Sequence, residues 1–189
     1  FALLAYVSAW LKCHHPAAFY VGLLNSQPMG FYSPSQLIQD ARRHHIMVLP
    51  VDVNHSSWDH QILSSADQQQ PPIRLGLRLI KGLSEAAGQR IHTAQRQRTF
   101  ANVADLRQRA CLDRGDMEAL AAADALSGIS GNRYQSHWQT MALEAHRPLL
   151  PHDSAAQRSQ DDAAVTAAPS LPEDVVADYQ STGLTLRSH

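Results

Sequence analysis

The chain is poor in cysteine, in charge of either sign and in long apolar runs, and each shortage removes a class of protein. Two cysteines, Cys13 and Cys111, among 189 residues cannot staple a disulfide-dense secreted scaffold; they suit a reducing compartment. No apolar stretch approaches the roughly 20 residues that a membrane span needs. The first run, Phe1–Leu11, ends at Lys12-Cys13-His14-His15, and no basic segment precedes it as in a signal peptide. The pairs His14-His15 and His44-His45 are adjacent, so each pair points to different faces, and no C-x-x-C or H-x-x-x-H spacing supports a metal site. There is no Walker-type glycine loop, no paired-carboxylate pattern on a strand and no Ser–His–Asp arrangement. No catalytic residue is identified.

What is present is a hydrophobic content of 44%, which argues against wholesale disorder, and a length that allows one or two domains with a real core. The formal net charge of −1 hides a division. Residues 1–72 hold three cations and four acids. Residues 73–114 hold nine Arg/Lys and three acids, a net of +6, and residues 115–189 hold four Arg and ten acids, a net of −6. A basic block between a neutral part and an acidic part points to nucleic acid or another polyanion.

Helical spacing of Leu4, Val7 and Leu11, with Leu3 and Trp10, predicts a core helix at the start. Pro16 opens a second helix whose apolar positions are Ala17, Phe19, Tyr20, Leu23 and Leu24. Ser33-Pro34 is an N-cap followed by Pro at N1, and a third helix runs through Leu37, Ile38 and Ala41 to Arg42-Arg43-His44-His45. Ile46–Val53 is β-prone, Trp58–Leu63 reads as a short strand, and Ile73–Ile80 alternates as a period-2 strand. Ser84 caps a helix from Glu85 to Ala94; Gly88 within it costs roughly 1 kcal/mol relative to Ala, which assigns it to close packing. Short helices follow over Val103–Ala110, Arg114–Ala123 and Tyr134–Ala145, with Asp113 and Asn132 as caps for the last two and Gly128 and Gly131 in the turn between them. Arg147–Pro172 has the composition of a linker, and Glu173–His189 resumes order as a short helix and strand. The expected fold class is mainly α with a small β element.

The most informative stretch is Gly76–Arg90. A tight Lys81-Gly82-Leu83 turn enters a helix N-terminus, where free backbone N–H groups and the helix dipole favour an anion. Gly82 lets a phosphate approach the backbone, and Lys81 and Arg90 add charge. An ordinary strand–turn–helix junction with a solvated basic face reads equally well locally; the +6 block favours the phosphate cradle.

Several segments together resemble one family. They are Phe1–Leu11 with Lys12, Pro16-Ala17-Ala18-Phe19, Leu23–Pro34, Asp40–His44, Pro50–Asn54, Ile73–Leu83 and Asp178–Leu186. In that order they resemble the bacterial C-family DNA polymerases, the relatives of the replicative polymerase III alpha subunit, and above all their error-prone branch. The likeness spans nearly the whole chain and is weakest across the linker.

The resemblance implies that residues 1–52 are the end of a helical fingers region, 53–145 a tandem helix-hairpin-helix region that binds DNA, 146–172 a linker and 173–189 the lead-in to a downstream OB-type domain. It implies a piece of a longer, cytoplasmic, error-prone DNA-directed DNA polymerase. The palm and its divalent metal, expected to be Mg, would lie upstream, and this piece alone would be inactive. It carries DNA contacts onto Arg78, Lys81, Gly82, Leu83, Ser84 and Arg90 at the first hairpin and Arg114 and Gly115 at the second, with no cofactor in this segment. The implied partners are duplex DNA through its phosphates, the rest of the polymerase and accessory subunits, with no membrane. The first helix is expected to pack on those other parts. Two positions depart from the family pattern: His45 and Asp124 stand where Gly is usual. A non-catalytic DNA-binding module, an inactive remnant and a replicative alpha-subunit segment remain alternatives. A DNA role predicts salt-dependent, sequence-tolerant duplex binding, weakened by Lys81→Ala.

Overall fold

A computed structural model describes residues 1–64, 70–142 and 168–187. Three helices open the chain: α1 (Ala2–His14), α2 (Pro16–Asn25) and α3 (Pro34–Arg43). Pro16 and Pro34 each sit in the first helical turn, where the missing N–H costs nothing. Ser33 caps α3 as expected, in a reciprocal box with Gln36. The predicted helix at the start is present. Its residues form α1, yet none of them is buried, and Leu3, Leu4, Tyr6, Val7 and Trp10 stay exposed. Helical period alone sets an apolar stripe; burial needs a partner, and none of the described residues covers this face.

The β element is small. Strands β1 (Val48–Leu49), β2 (Gln61–Ile62) and β3 (Ile73–Arg74) form one sheet in the order β1-β3-β2, parallel on one side and antiparallel on the other. The predicted strand over Ile73–Ile80 is therefore too long. Ile73, Leu75 and Leu77 do alternate inward, but the chain winds into a 3-10 turn at Leu77–Leu79, and Ile80 is buried as well. Gly76 sets that bend: a side chain there would meet the backbone of Trp58 and Asp59 at 2.4 Å.

Helices α4 (Glu85–Gln97), α5 (Val103–Arg109), α6 (Arg114–Ala122), α7 (Ser127–Ser130) and α8 (Arg133–Ala142) follow. The side chains of Ser84, Asn102 and Asp113 cap α4, α5 and α6, and Asn132 accepts the N–H of Gln135 at the start of α8. The predicted turn marked by Gly128 and Gly131 coincides with the single turn of α7, closed by Gly131 at φ 99°. Gly88 does mark close packing, because its missing Cβ would lie 2.3 Å from the Trp58 ring. The predicted helix end at 143–145 and linker residues 146–167 lie outside the described residues. The chain is described again from residue 168, and Leu171 and Pro172, assigned to the linker, already form the first turn of α9 (Leu171–Ser181). The tail after α9 is coil through 187, not strand, and its last two residues are outside the description.

One buried cluster joins Leu37 and Ile38 of α3, Leu75 and Leu77, Ile91 of α4, Leu106 of α5, Leu120 of α6 and Leu184 of the tail. Helices α2 and α3, the hairpin region and the tail therefore share this core, and a second, smaller cluster of Ala17, Tyr20, Ala41, Ile46 and Ile73 packs α2 and α3 against the sheet. No described helix is long and apolar enough to cross a membrane.

Candidate nucleic-acid interface

Two turns in this framework repeat each other at an offset of 29 residues. The first runs from the 3-10 turn through Lys81, Gly82 and Leu83 to Ser84, the N-cap of α4. The second runs from α5 through Ala110, Cys111 and Leu112 to Asp113, the N-cap of α6. Gly82 (φ 86°) and Cys111 (φ 49°) both take the left-handed conformation. Leu83 and Leu112, one residue on, are both buried and pin the turn to the core. Each cap then accepts an N–H three residues ahead: Ser84 Oγ from Ala87 at 3.1 Å, and an Asp113 carboxylate oxygen from Asp116 at 2.8 Å.

This arrangement leaves matching donors free. The N–H groups of Gly82, Glu85 and Ala86 find no acceptor among the described residues, and neither do those of Cys111, Arg114 and Gly115. Each turn presents three donors at the positive end of a helix dipole, which is an anion cradle built from backbone. Gly82, Ser84, Glu85 and Ala86 are exposed, as are Cys111, Arg114 and Gly115.

The side chains of the basic block are placed differently. Arg78 donates to the carbonyls of Asn25 (2.9 Å) and Gln27 (3.4 Å) and pairs with Asp59 at 2.7 Å, closing the end of α2 onto the 3-10 turn. Lys81 Nζ donates to the carbonyls of Tyr179 and Gln180 at the end of α9. Arg90 donates to the Ala110 carbonyl at 2.9 Å and reaches Asp116 at 3.3 Å, so it ties α4 to the second turn. Burial and the Asp113 charge push the Asp116 carboxyl above its usual range, against the pull of Arg90. Arg109 pairs with Asp105 and donates to carbonyls at the end of α4. Arg74 and Arg98 are likewise engaged, with the Pro50 carbonyl and Asp105. Arg114 is 73% exposed beside Glu118, and Arg96 is exposed with no partner among the described residues.

Among the site residues assigned from sequence, Gly82, Leu83, Ser84, Arg114 and Gly115 thus gather at the two turns. Leu83 acts from beneath, as a buried anchor. Arg78, Lys81 and Arg90 lie nearby but hold the fold. Cys111 was missed. Its signal is the paired register of Leu83-Ser84 and Leu112-Asp113, hidden because Gly82 and Cys111 look unlike. The acid at Asp124, just past the end of α6, pairs with Arg187 at 2.8 Å.

The model of the helix-hairpin-helix motif matches residues 45–136, which contain both turns. Over its whole length the chain is 50% identical to an error-prone DNA polymerase of Methylococcus capsulatus, 53% to one of Teredinibacter turnerae and 54% to one of Ralstonia nicotianae. It spans 18–19% of the length of these relatives.

Proposed function

We propose that this chain, homologous along its whole length to one segment of the error-prone DNA polymerases, is a duplex-DNA grip that holds two phosphates through the paired turns. The carrying observation is the repeated set of free donors at Gly82, Glu85 and Ala86 and at Cys111, Arg114 and Gly115. A phosphate oxygen accepts the N–H bonds of each set, and the dipoles of α4 and α6 favour its charge. No base edge enters such a contact, so binding is sequence-tolerant.

On this reading the grip serves a cytoplasmic DNA-directed DNA polymerase of damage-associated synthesis, and the segment alone is non-catalytic. Template-directed nucleotidyl transfer and the divalent metal it needs, Mg by preference, belong to a part outside this segment. Among the described residues no group of three or more His, Cys, Asp and Glu side chains is arranged for an ion. Residues 1–52 are read as the end of the fingers, and the tail as the lead toward an OB-type domain.

The test introduces acids where they suit the fold and oppose DNA. Ala86→Glu and Gly115→Glu place a carboxylate in the first turn of α4 or α6, which stabilises a helix by about 0.3–1 kcal/mol. The same charge repels a phosphate in the cradle. Each variant is expected to weaken anisotropy-detected duplex binding by about fivefold or more, and the pair to lose most of it. A double variant that binds as the parent chain does would sink the reading.

A further inference from the structure

The end of α9 meets the first turn in an arrangement that DNA binding alone does not explain. The last carbonyls of a helix have no partner within it. Here Lys81 reaches three carbonyls of that end: its backbone N–H donates to Ser181 at 2.9 Å, and its Nζ to Gln180 at 3.0 Å and to Tyr179 at 3.2 Å, which also accepts the Gly183 N–H. The ammonium also sits at the negative end of the α9 dipole. On its other side the turn rests on α6, where Ala119 lies 3.9 Å from the Cβ position of Gly82.

The rest of α9 is anchored to the second hairpin and α8. Arg133, buried on α8, pairs with Asp174 at 2.7 Å and with Asp178. Arg187 pairs with Asp124 at the end of α6 (2.8 Å) and with Asp174 (3.0 Å). Thr185 donates to Asp178 at 2.7 Å, and Leu184 enters the common core.

We infer that α9 and the tail are a strap that holds the first turn at a fixed distance from the second, with Lys81 as its buckle. Lys81, Asp178 and Arg187 are then positioning residues for the DNA grip. Lys81 acts through the turn's backbone rather than by neutralising a phosphate. The consequence is avidity: two cradles on one rigid body engage one duplex together, and a loosened turn leaves the second to bind alone. This inference rests on the proposed duplex grip and assigns it a spacing device.

The experiment follows backbone amide resonances of the 189-residue chain during titration with a duplex. Signals of Gly82 and Glu85 report the first turn, and those of Cys111 and Arg114 the second. Parent chain is expected to shift both sets. Asp178→Asn is expected to lose the shifts of the first set, keep those of the second and bind about tenfold more weakly. Lys81→Met, which removes the ammonium donor and keeps the length of the side chain, is expected to do the same while leaving the salt slope of binding unaltered, and Lys81→Arg to restore both sets. First-turn shifts that survive in Asp178→Asn would overturn the strap. So would a slope in Lys81→Met shallower by about 0.9, which marks a lost phosphate contact. Absence of shifts at both turns in the parent chain would instead remove the duplex grip itself.

Discussion

At the scale of single residues, burial decides chemistry that composition leaves open. His60 is 4% exposed, and its Nδ1 accepts the N–H of Gly76 at 3.1 Å, which requires that nitrogen to be unprotonated. Its own backbone N–H and C=O exchange hydrogen bonds with the Asn25 amide, which locks the segment in place. Burial, aided by the Arg78 charge and opposed by Asp59, pushes its pKa from 6.5 down to about 4. The unfolded chain therefore binds a proton on His60 at a higher pH than the folded one. Folding stability from this group is complete above pH 6.5 and is lost as pH falls toward 4, with a magnitude of about 3 kcal/mol. Urea melts at pH 7, 5.5 and 4.5 are expected to show that decline. His60→Asn keeps an acceptor without a titrating ring and is expected to flatten it. The carboxyl groups of Asp116 and Asp124, raised by burial, run in the opposite sense, so the difference between the two proteins isolates the histidine. An equal decline in both would assign the effect elsewhere.

At the scale of elements, the helix ends repeat one solution with an unexpected residue. Helices α3, α5 and α6 each close with a left-handed residue at the position after the cap, and in each the next N–H reaches back to the carbonyl five residues earlier: Ile46 to Ala41, Leu112 to Arg107 and Ala125 to Leu120. The left-handed residues are His45 (φ 60°), Cys111 (φ 49°) and Asp124 (φ 56°). Glycine would avoid a cost of about 1–2 kcal/mol there. His45→Gly is expected to stabilise the chain by about 1 kcal/mol in chemical denaturation, because no ion pair among the described residues depends on that side chain. Asp124→Gly gives the same backbone relief but strips Arg187 of its 2.8 Å partner, and is expected to destabilise by about 1 kcal/mol or more. A gain from Asp124→Gly as large as that from His45→Gly would show that the Arg187 pair contributes nothing. The family pattern exposed two of these three positions, because a non-glycine at a glycine site is visible in sequence. Cap residues and helix starts were also legible, since Ser33, Ser84 and Asp113 act through their nearest neighbours. What stayed hidden depends on distant partners. The Ile73–Ile80 alternation cannot announce that Gly76 must yield to the Trp58 backbone, and the stripe on α1 cannot say that nothing here covers it.

At the scale of the whole molecule, the sequence divides by charge but the structure does not use the division as composition suggests. If all nine Arg and Lys of residues 73–114 neutralised phosphates, log K against log salt would fall with a slope of about −8, from roughly 0.9 per contact. In the folded chain most of these cations already have partners. Arg74, Arg78, Lys81, Arg98 and Arg109 hold carbonyls or carboxylates that fix one element to another. Exposed Arg96, Arg114 beside Glu118 and the 42% exposed side chain of Arg90, which also ties α4 to the second turn, are the cations best placed to meet a duplex. The cradles themselves are neutral N–H groups, which contribute hydrogen bonds and dipole attraction but release few counterions. The expected slope is therefore about −2 to −3. A shallow slope also means that affinity survives at moderate salt, where binding that relied on nine cations would have collapsed. Titrations from 50 to 200 mM salt separate the two cases. A slope near −8 would show that the basic block leaves its internal partners for DNA, and that the ties between α2, α4, α5 and α9 open on binding.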